Sequence, residues 1–302
     1  MTTSLEAYQS ARPRLFGIAY RMLGSATEAE DVLQDAWLRW ERVDRGRVAD
    51  PAAFLARTVT NLCLTALDSA RARREVYLGP WLPEPVLTGP GVAAGPGPLE
   101  EAEQRESVSF ALLALMERLP PAERAAYVLR EAFAYTPREV AELIGTTEAN
   151  ARQLHSRARR HVAEERSRPV DPAQWRSLVA RFLLAARDGD LAGLESLLAE
   201  DVVSRADGGG AVHAARRPVR GRSQVARYVI GVLQRFSDGI VPQLRQVNGE
   251  WALLGTLDGA VRAIWFLHSD GSQVTGLDIV VNPAKLAFAD RQLSQGGDLS
   301  GL

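Results

Sequence analysis

Apolar residues recur at three- and four-residue spacing through the first quarter of the chain. Leu5, Tyr8, Leu15, Ala19 and Met22 share one face of a predicted helix that Gly24 ends. Ser25-Ala26-Thr27-Glu28 has the capping-box pattern and opens a second helix carrying Val32, Ala36, Trp37 and Trp40. Asp50-Pro51 starts a third, which runs through Phe54, Leu55, Thr58, Val59 and Leu62 towards Arg74. The pattern then breaks, because eleven of the twenty residues 79–98 are Gly or Pro, too many for a regular element. Inside that stretch, Trp81-Leu82-Pro83-Glu84-Pro85-Val86 is too apolar for a simple tether, which predicts that it docks on another surface. Helical patterning resumes near residue 100 and lasts to about 167, where Arg168-Pro169-Val170-Asp171-Pro172 marks a second boundary.

Beyond that boundary the pattern mixes predicted helices (172–188, 190–199, 222–235) with period-two or apolar runs. The runs are Val241–Val247, Trp251–Leu257, Val261–His268 and Val274–Val281, separated by Asn248-Gly249, Asp258-Gly259 and Asp270-Gly271. Such dipeptides between apolar runs are the strongest local signal for hairpins. They predict a curved antiparallel sheet wrapped around helices, an α+β domain. The chain thus divides into all-α domains at 1–76 and 105–168, a linker at 77–104, and an α+β domain at 169–302.

Length and composition narrow the classes. A chain of 302 residues, 46% hydrophobic, suffices for two or three small domains, each with its own core. A net charge of −1 excludes a uniformly basic nucleic-acid binder, so binding to an anionic partner must come from local patches. Cys63, the single cysteine, excludes internal disulfides and fits a reducing cytoplasm; its apolar neighbours make it a core residue. The N-terminus lacks a continuous apolar h-region and no stretch approaches 18 apolar residues, so neither a signal peptide nor a membrane span is expected. No metal and no cofactor are expected. Lys285 is the only lysine among 36 basic residues.

The sharpest local signal lies at 123–162. Thr136-Pro137-Arg138-Glu139 is a capping box with proline at the first helical position, and Val140, Ala141, Leu143 and Ile144 supply the apolar side. Gly145 allows the tight turn into a second helix that runs from Thr146 or Thr147 to Val162, giving a helix-turn-helix. The second helix carries Arg152, Gln153, His155, Arg157, Arg159 and Arg160, with no acidic residue between 152 and 160. A recognition helix presents its N-terminal part to base edges, so Arg152 and Gln153 are the base-edge candidates and the later basic residues grip the backbone. A solvated charged face is the competing reading. Asp31, Gln34 and Asp35 fall at i, i+3 and i+4 and form one polar patch, and Arg71, Arg73 and Arg74 cluster after a helix containing Arg57 and Asn61.

These segments together resemble a family. Ala29-Glu30-Asp31-Val32-Leu33-Gln34-Asp35-Ala36-Trp37 resembles the polymerase-binding helix of sigma-70-type factors of the extracytoplasmic-function group. Phe54–Asn61 with Asp68 and Arg71 is similar to that family's minus-ten recognition segment. Leu119-Pro120-Pro121-Ala122-Glu123-Arg124 with the helix-turn-helix looks like its minus-thirty-five domain. The resemblance covers roughly residues 5–167. It implies that Asp31, Gln34 and Asp35 face a coiled coil of core RNA polymerase, and that Asn61, with Arg57 beside it, lies near a base flipped from the melted strand. Arg71, Arg73 and Arg74 would then hold promoter phosphates.

The C-terminal extension resembles the SnoaL-like cone fold, which one subgroup of these sigma factors carries. That subgroup's marks match Trp81–Val86, Asp207-Gly208-Gly209-Gly210 and Asn282-Pro283-Ala284-Lys285-Leu286. The resemblance implies a sigma factor whose activity its own cone domain modulates, with core polymerase and promoter DNA as partners and no membrane. The linker motif is expected to pack on the cone domain. Two rivals stay open: a switch binding a small molecule in the cone's cavity, and a SnoaL-type isomerase or hydratase fused to a DNA-binding unit. For the enzyme, Asp207, His213, His268 and Asp278 are available, but no pairing can be read from the sequence. The stretch 205–227, with six arginines and one acid, could meet DNA, polymerase or an anionic ligand, or be a solvated face.

Overall fold

The computed structural model describes residues 4–44, 48–75, 77–89, 109–163 and 171–295. The chain forms two compact units, one of Met1–Val76, Val86–Glu165 and Gln295–Leu302, the other of Tyr77–Pro85 and Arg166–Ser294.

In the first unit, α1 (Ser4–Leu23), α2 (Ala26–Arg42) and α3 (Pro51–Glu75) bury one face each. Ile18 and Met22, Leu33 and Trp40, and Leu55, Val59 and Cys63 are almost wholly inaccessible. Two polar ties fix the packing: the Tyr8 hydroxyl donates to Leu33 O at 2.8 Å, and Trp40 Nε1 donates to Ser4 O at 3.1 Å. Gly24 ends α1 at φ 69°, and the Ser25 side chain accepts from Glu28 N at 3.1 Å to start α2. Leu5, expected on the buried face, is 49% exposed, because the first turn of α1 reaches past the core.

Among the described residues this unit has four further helices: α4 (Phe110–Met116), α5 (Pro121–Glu131), α6 (Pro137–Ile144) and α7 (Glu148–Ala163). The Thr136–Glu139 capping box forms as predicted, and Gly145 takes the left-handed conformation at φ 71°. The two helical segments, set apart in the sequence, pack directly on one another, α1 against α5 and α3 against α5 and α6. Buried Arg124 of α5 donates to Arg21 O of α1 at 3.3 Å and to Glu117 Oε1 at 2.9 Å.

The second unit holds α8 (Pro172–Asp188), α9 (Leu191–Leu197), β1 (Leu198–Asp207), β2 (Val219–Arg220), α10 (Arg222–Phe236), β3 (Val241–Val247), β4 (Glu250–Leu257), β5 (Ala260–Ser269), β6 (Val274–Val280) and α11 (Pro283–Gln295). These strands stand in the order β3-β4-β5-β6-β1-β2. Asn248 and Gly249, like Asp258 and Gly259, have positive φ, so both hairpins turn through the backbone shape their sequences demand. Helices α8, α9 and α10 cover one face, with Phe182, Val179 and Val225 in one core with Trp265, Leu267, Leu277 and Ile279. Alternation along a strand sends Asp278, between Leu277 and Ile279, to the other face.

One expectation is corrected. The helix read over 190–199 stops at Leu197, and 198–207 is a ten-residue strand running parallel to β6. The sheet is therefore mixed, not antiparallel. A register shift between Leu198 and Val203, with Glu200 and Asp201 exposed inside it, destroys the period-two pattern that would have revealed β1.

Candidate nucleic-acid interface and linker dock

The buried side of α7 consists of Ala151, Leu154, Ala158 and Val162, which leaves the opposite side to solvent. Arg152, Gln153, Ser156, Arg157 and Arg160 line one shallow depression on that side. Their spacing is one continuous stripe of helix surface. Ser156 belongs to it and was not singled out from the sequence, where a serine among arginines carries no signal. Arg152 pairs with Glu148 one turn earlier, an exposed contact that a phosphate or base edge can displace.

Three of the basic residues contact acidic side chains of α5. His155 is held at 2.6 Å from Glu131 and lies against the Tyr127 ring, with 15% of its side chain exposed. Arg159 lies 3.9 Å from Glu131, and Arg157 is 3.6 Å from the buried Glu123. Acidic residues on α5 thus face α7, a pairing hidden by their distance in sequence.

Asp31, Gln34 and Asp35 are all exposed along α2, as is Leu38 at 43% in the next turn. Arg57 and Asn61 are exposed one turn apart on α3. The side chains of Arg71, Arg73 and Arg74 lie outside the described residues.

The linker motif sits within the second unit, and a single carboxylate organises it. Asp207, at the end of β1, is fully buried. Its Oδ1 accepts from the Tyr77 hydroxyl at 2.5 Å and from Gly209 N at 3.1 Å; its Oδ2 accepts from Leu82 N at 2.9 Å and from Lys285 Nζ at 2.7 Å. Lys285 Nζ also donates to Leu82 O and lies 3.4 Å from the Trp81 ring centroid. Tyr77 stands edge-on to Trp81 at 4.7 Å, and Asn282 Nδ2 donates to the Tyr77 hydroxyl at 2.9 Å. Burial, reinforced by the Asp207 hydrogen bond and charge, pushes the Tyr77 phenol pKa up. Leu82, Pro83, Glu84, Pro85, Leu286 and, in the first unit, Val86 are buried, while Pro283 is exposed.

The three glycines now have a reason. A Cβ on Gly209 would fall 2.3 Å from Asn282 Nδ2, one on Gly208 would meet Val212 O at 2.7 Å, and one on Gly210 would strike the Leu78 side chain. The three stretches marked in the sequence therefore meet at one place, and Tyr77, which preceded the recognised motif, belongs with them.

The other residues weighed for acid–base chemistry are also located. Asp278, fully buried, accepts from Arg205 Nε at 2.6 Å and Nη2 at 2.8 Å, and lies 2.9 Å from His268 Nε2. Burial alone would raise the Asp278 pKa, but the His268 and Arg205 contacts hold it below the usual carboxylate value. For His268, burial pulls down and the Asp278 hydrogen bond and charge, helped by Glu250, pull up more strongly, so its pKa is raised. His213 is exposed, away from this pair. Among the described residues no group of three or more His, Cys, Asp or Glu could hold a metal ion, and no helix is long and apolar enough to cross a membrane.

Comparison with known proteins places this geometry. Residues 7–73 fit the family model for Sigma-70 region 2, and residues 109–162 fit that for Sigma-70, region 4. The ECF RNA polymerase sigma factor SigJ of Mycobacterium tuberculosis is 43% identical over 248 residues, which is 80% of this chain and 78% of that protein. The chain belongs to the extracytoplasmic-function sigma factors. The similarity of this sigma factor to its relatives extends through the cone domain. The crystal structure of M. tuberculosis SigJ superposes with a TM-score of 0.74 at 36% identity, covering 94% of this chain and 98% of that one. The probable sigma factor SigI of the same organism is 30% identical over 96% of this chain and 97% of its own length.

Proposed function

We propose that this sigma factor binds core RNA polymerase through Asp31, Gln34 and Asp35 and directs initiation at promoters read by α3 and α7. Arg57 and Asn61 read the minus-ten strand, with Arg71, Arg73 and Arg74 on adjacent phosphates. Arg152 and Gln153 read base edges of the upstream element, while Arg157, Arg159 and Arg160 hold its backbone. The exposed stripe Arg152–Gln153–Ser156–Arg157–Arg160 carries the DNA-reading part, because it presents donors on the one side of α7 not used for packing. His155, tied to Glu131, serves by fixing α7 rather than by touching DNA.

The cone domain, in this proposal, regulates rather than catalyses. The observation that supports it is the closure of Asp207 around Tyr77, Leu82 and Lys285, which ties the linker segment between the two helical regions to the C-terminal domain. A chain with its linker held populates fewer arrangements, and affinity for polymerase scales with the competent fraction. Asp207 and Asp278 have their oxygens occupied by internal donors, which leaves neither placed to serve as a base. No cofactor is needed for any of these roles, and they place the protein in the cytoplasm with the polymerase.

The test is transcription in vitro with purified core polymerase, comparing the native chain with Lys285→Met and with Trp81→Ala. A change of promoter output in both variants supports coupling through the dock. Output identical to the native chain rejects it, and absence of output from every form, including the native chain, rejects the sigma-factor reading for the promoter tested.

A further inference from the structure

From Gly208 to Ser237 the chain contains six arginines and no acidic residue, whereas five acidic residues crowd 188–201. Charge in the cone domain is therefore segregated, although the chain as a whole is nearly neutral. Arg222 is half-buried and donates through Nε to Leu198 O at 2.9 Å, a structural tie. Arg235 lies near the far end of α10. The remaining four, Arg216, Arg217, Arg220 and Arg227, are exposed, and none has an ion pair among the described residues.

The fold brings three of the four to one edge of the sheet. Arg220 sits on β2, the terminal strand, opposite Val203 of β1; Arg216 and Arg217 lie in the segment leading into it. Arg227 is exposed on α10, which follows immediately. From Arg217 to Arg220 the chain can reach at most about 10 Å, the axial length of roughly three phosphates on one strand of duplex DNA.

Two blander uses are less apt. Charged side chains on an edge strand block unwanted strand pairing, but a two-residue strand preceded by Pro218 is already a poor template. A docking site for a protein needs apolar anchors at its centre. Between Ala214 and Arg227 no large apolar side chain is exposed, Val225 and Ala226 point into the core, and the exposed Leu78 and Val212 lie outside this stretch, towards its Arg216 end. Charge without an apolar centre matches a polyanion backbone.

We propose that the Arg216–Arg217–Arg220 edge, with Arg227, is a sequence-blind contact for the phosphate backbone of duplex DNA, separate from the two promoter-reading helices. This inference rests on the sigma-factor reading only for its choice of DNA as the polyanion. The experiment is fluorescence anisotropy of the full-length chain with a labelled duplex lacking promoter elements, titrated at several salt concentrations. The native chain is compared with the Arg216→Ala/Arg217→Ala/Arg220→Ala triple variant. All three side chains are exposed, so unchanged circular dichroism and thermal midpoint are the check on folding. The triple variant should bind more weakly, to a similar degree on any sequence, with a log–log salt slope shallower by about 2–3 units. Affinity for core polymerase, measured separately, should not move. Loss of polymerase affinity with an unchanged DNA salt slope would make an acidic protein surface the partner and overturn the proposal. No change in either measurement would leave a solvated edge and overturn it equally. Failure of the native chain to bind polymerase would count against the sigma-factor reading alone.

Discussion

The ammonium of Lys285 lies 3.4 Å from the ring centroid of Trp81, so the only lysine of the chain closes the face of the only linker tryptophan. A buried ammonium needs a counter-charge and hydrogen-bond acceptors, and Asp207 and Leu82 O supply them. Arginine, which fills every other basic position, presents a wide planar fork, while the space between Trp81 and Asp207 is shaped for a compact charge. The linker is consequently held by electrostatics, an aromatic face and a main-chain bond at once.

Removing the ammonium should release the segment. Lys285→Met leaves a buried Asp207 with three uncharged donors and no cation, a change expected to weaken the second unit by about 3–5 kcal/mol. Lys285→Arg should rescue little of it. The readouts are thermal unfolding and protease cleavage between Tyr77 and Pro85. A Lys285→Arg chain as resistant as the native one would show that only charge matters there.

Two glycine substitutions separate local strain from lost docking. Gly209→Ala forces a side chain into a positive-φ position and onto Asn282, which must release the Tyr77 hydroxyl. Gly259→Ala also sits at positive φ, but its Cβ would meet nothing within 4 Å. The second change should cost about 1 kcal/mol, the first about 1–3 kcal/mol more because a buried hydrogen bond also goes. Only Gly209→Ala should accelerate cleavage at Tyr77–Pro85. Equal behaviour of the two would mean the glycine run serves backbone shape alone.

Much of this was legible in the chain itself, for identifiable reasons. The α6–α7 turn was readable because the capping box, Gly145 and an amphipathic stripe are all local signals. The β3–β4 and β4–β5 hairpins were readable for the same reason: Asn248-Gly249 and Asp258-Gly259 specify their turns within two residues. β1 was not readable, because a bulge interrupts its alternation and its partner β6 lies some seventy residues away. The Asp278–His268–Arg205 cluster depends on that same long-range pairing and was equally invisible. The dock occupies a middle position. Trp81, Asp207 and Lys285 stood out as a tryptophan in a tether, an acid before three glycines and a solitary lysine, but their meeting and the part of Tyr77 required the fold.

The His268–Asp278 pair gives the cone domain a defined response to pH. The folded-state pKa of His268 is raised, so the pair's contribution to stability is complete below the ordinary histidine value near 6.5 and falls as pH climbs through the raised value. Asp278 works in the opposite sense; its depressed pKa keeps its contribution intact until acid conditions below the usual carboxylate range. Hydrogen exchange of residues 260–280 in the full-length chain should show protection declining from neutral to alkaline pH in the native protein. His268→Gln should lower protection at pH 6 and flatten that decline. A native profile with no alkaline slope would mean the imidazole is neutral throughout.

The packing of α1 against α5 sets up the last prediction. In the proposed function α3 and α7 read separate promoter elements, yet here Arg124 bridges Arg21 O and Glu117, while Arg14 donates to Phe133 O at 3.2 Å and lies 4.9 Å from the Tyr135 ring centroid. Arg14 is exposed, so its contacts contribute at most about 1 kcal/mol; Arg124 is buried, and its loss is the larger effect. Burial also draws the Arg21 pKa down to about 10, a sign of how dry this junction is. With fluorophores on α1 and α7, Arg14→Ala should shift transfer efficiency slightly towards separation, and Arg124→Met should shift it strongly while helical circular dichroism is retained. Core polymerase affinity should rise in the same order, since opening no longer has to oppose the latch. Arg14→Ala keeps the test decisive should Arg124→Met misfold: efficiency identical to the native chain in Arg14→Ala, with affinity also unmoved, would mean that this junction does not limit opening.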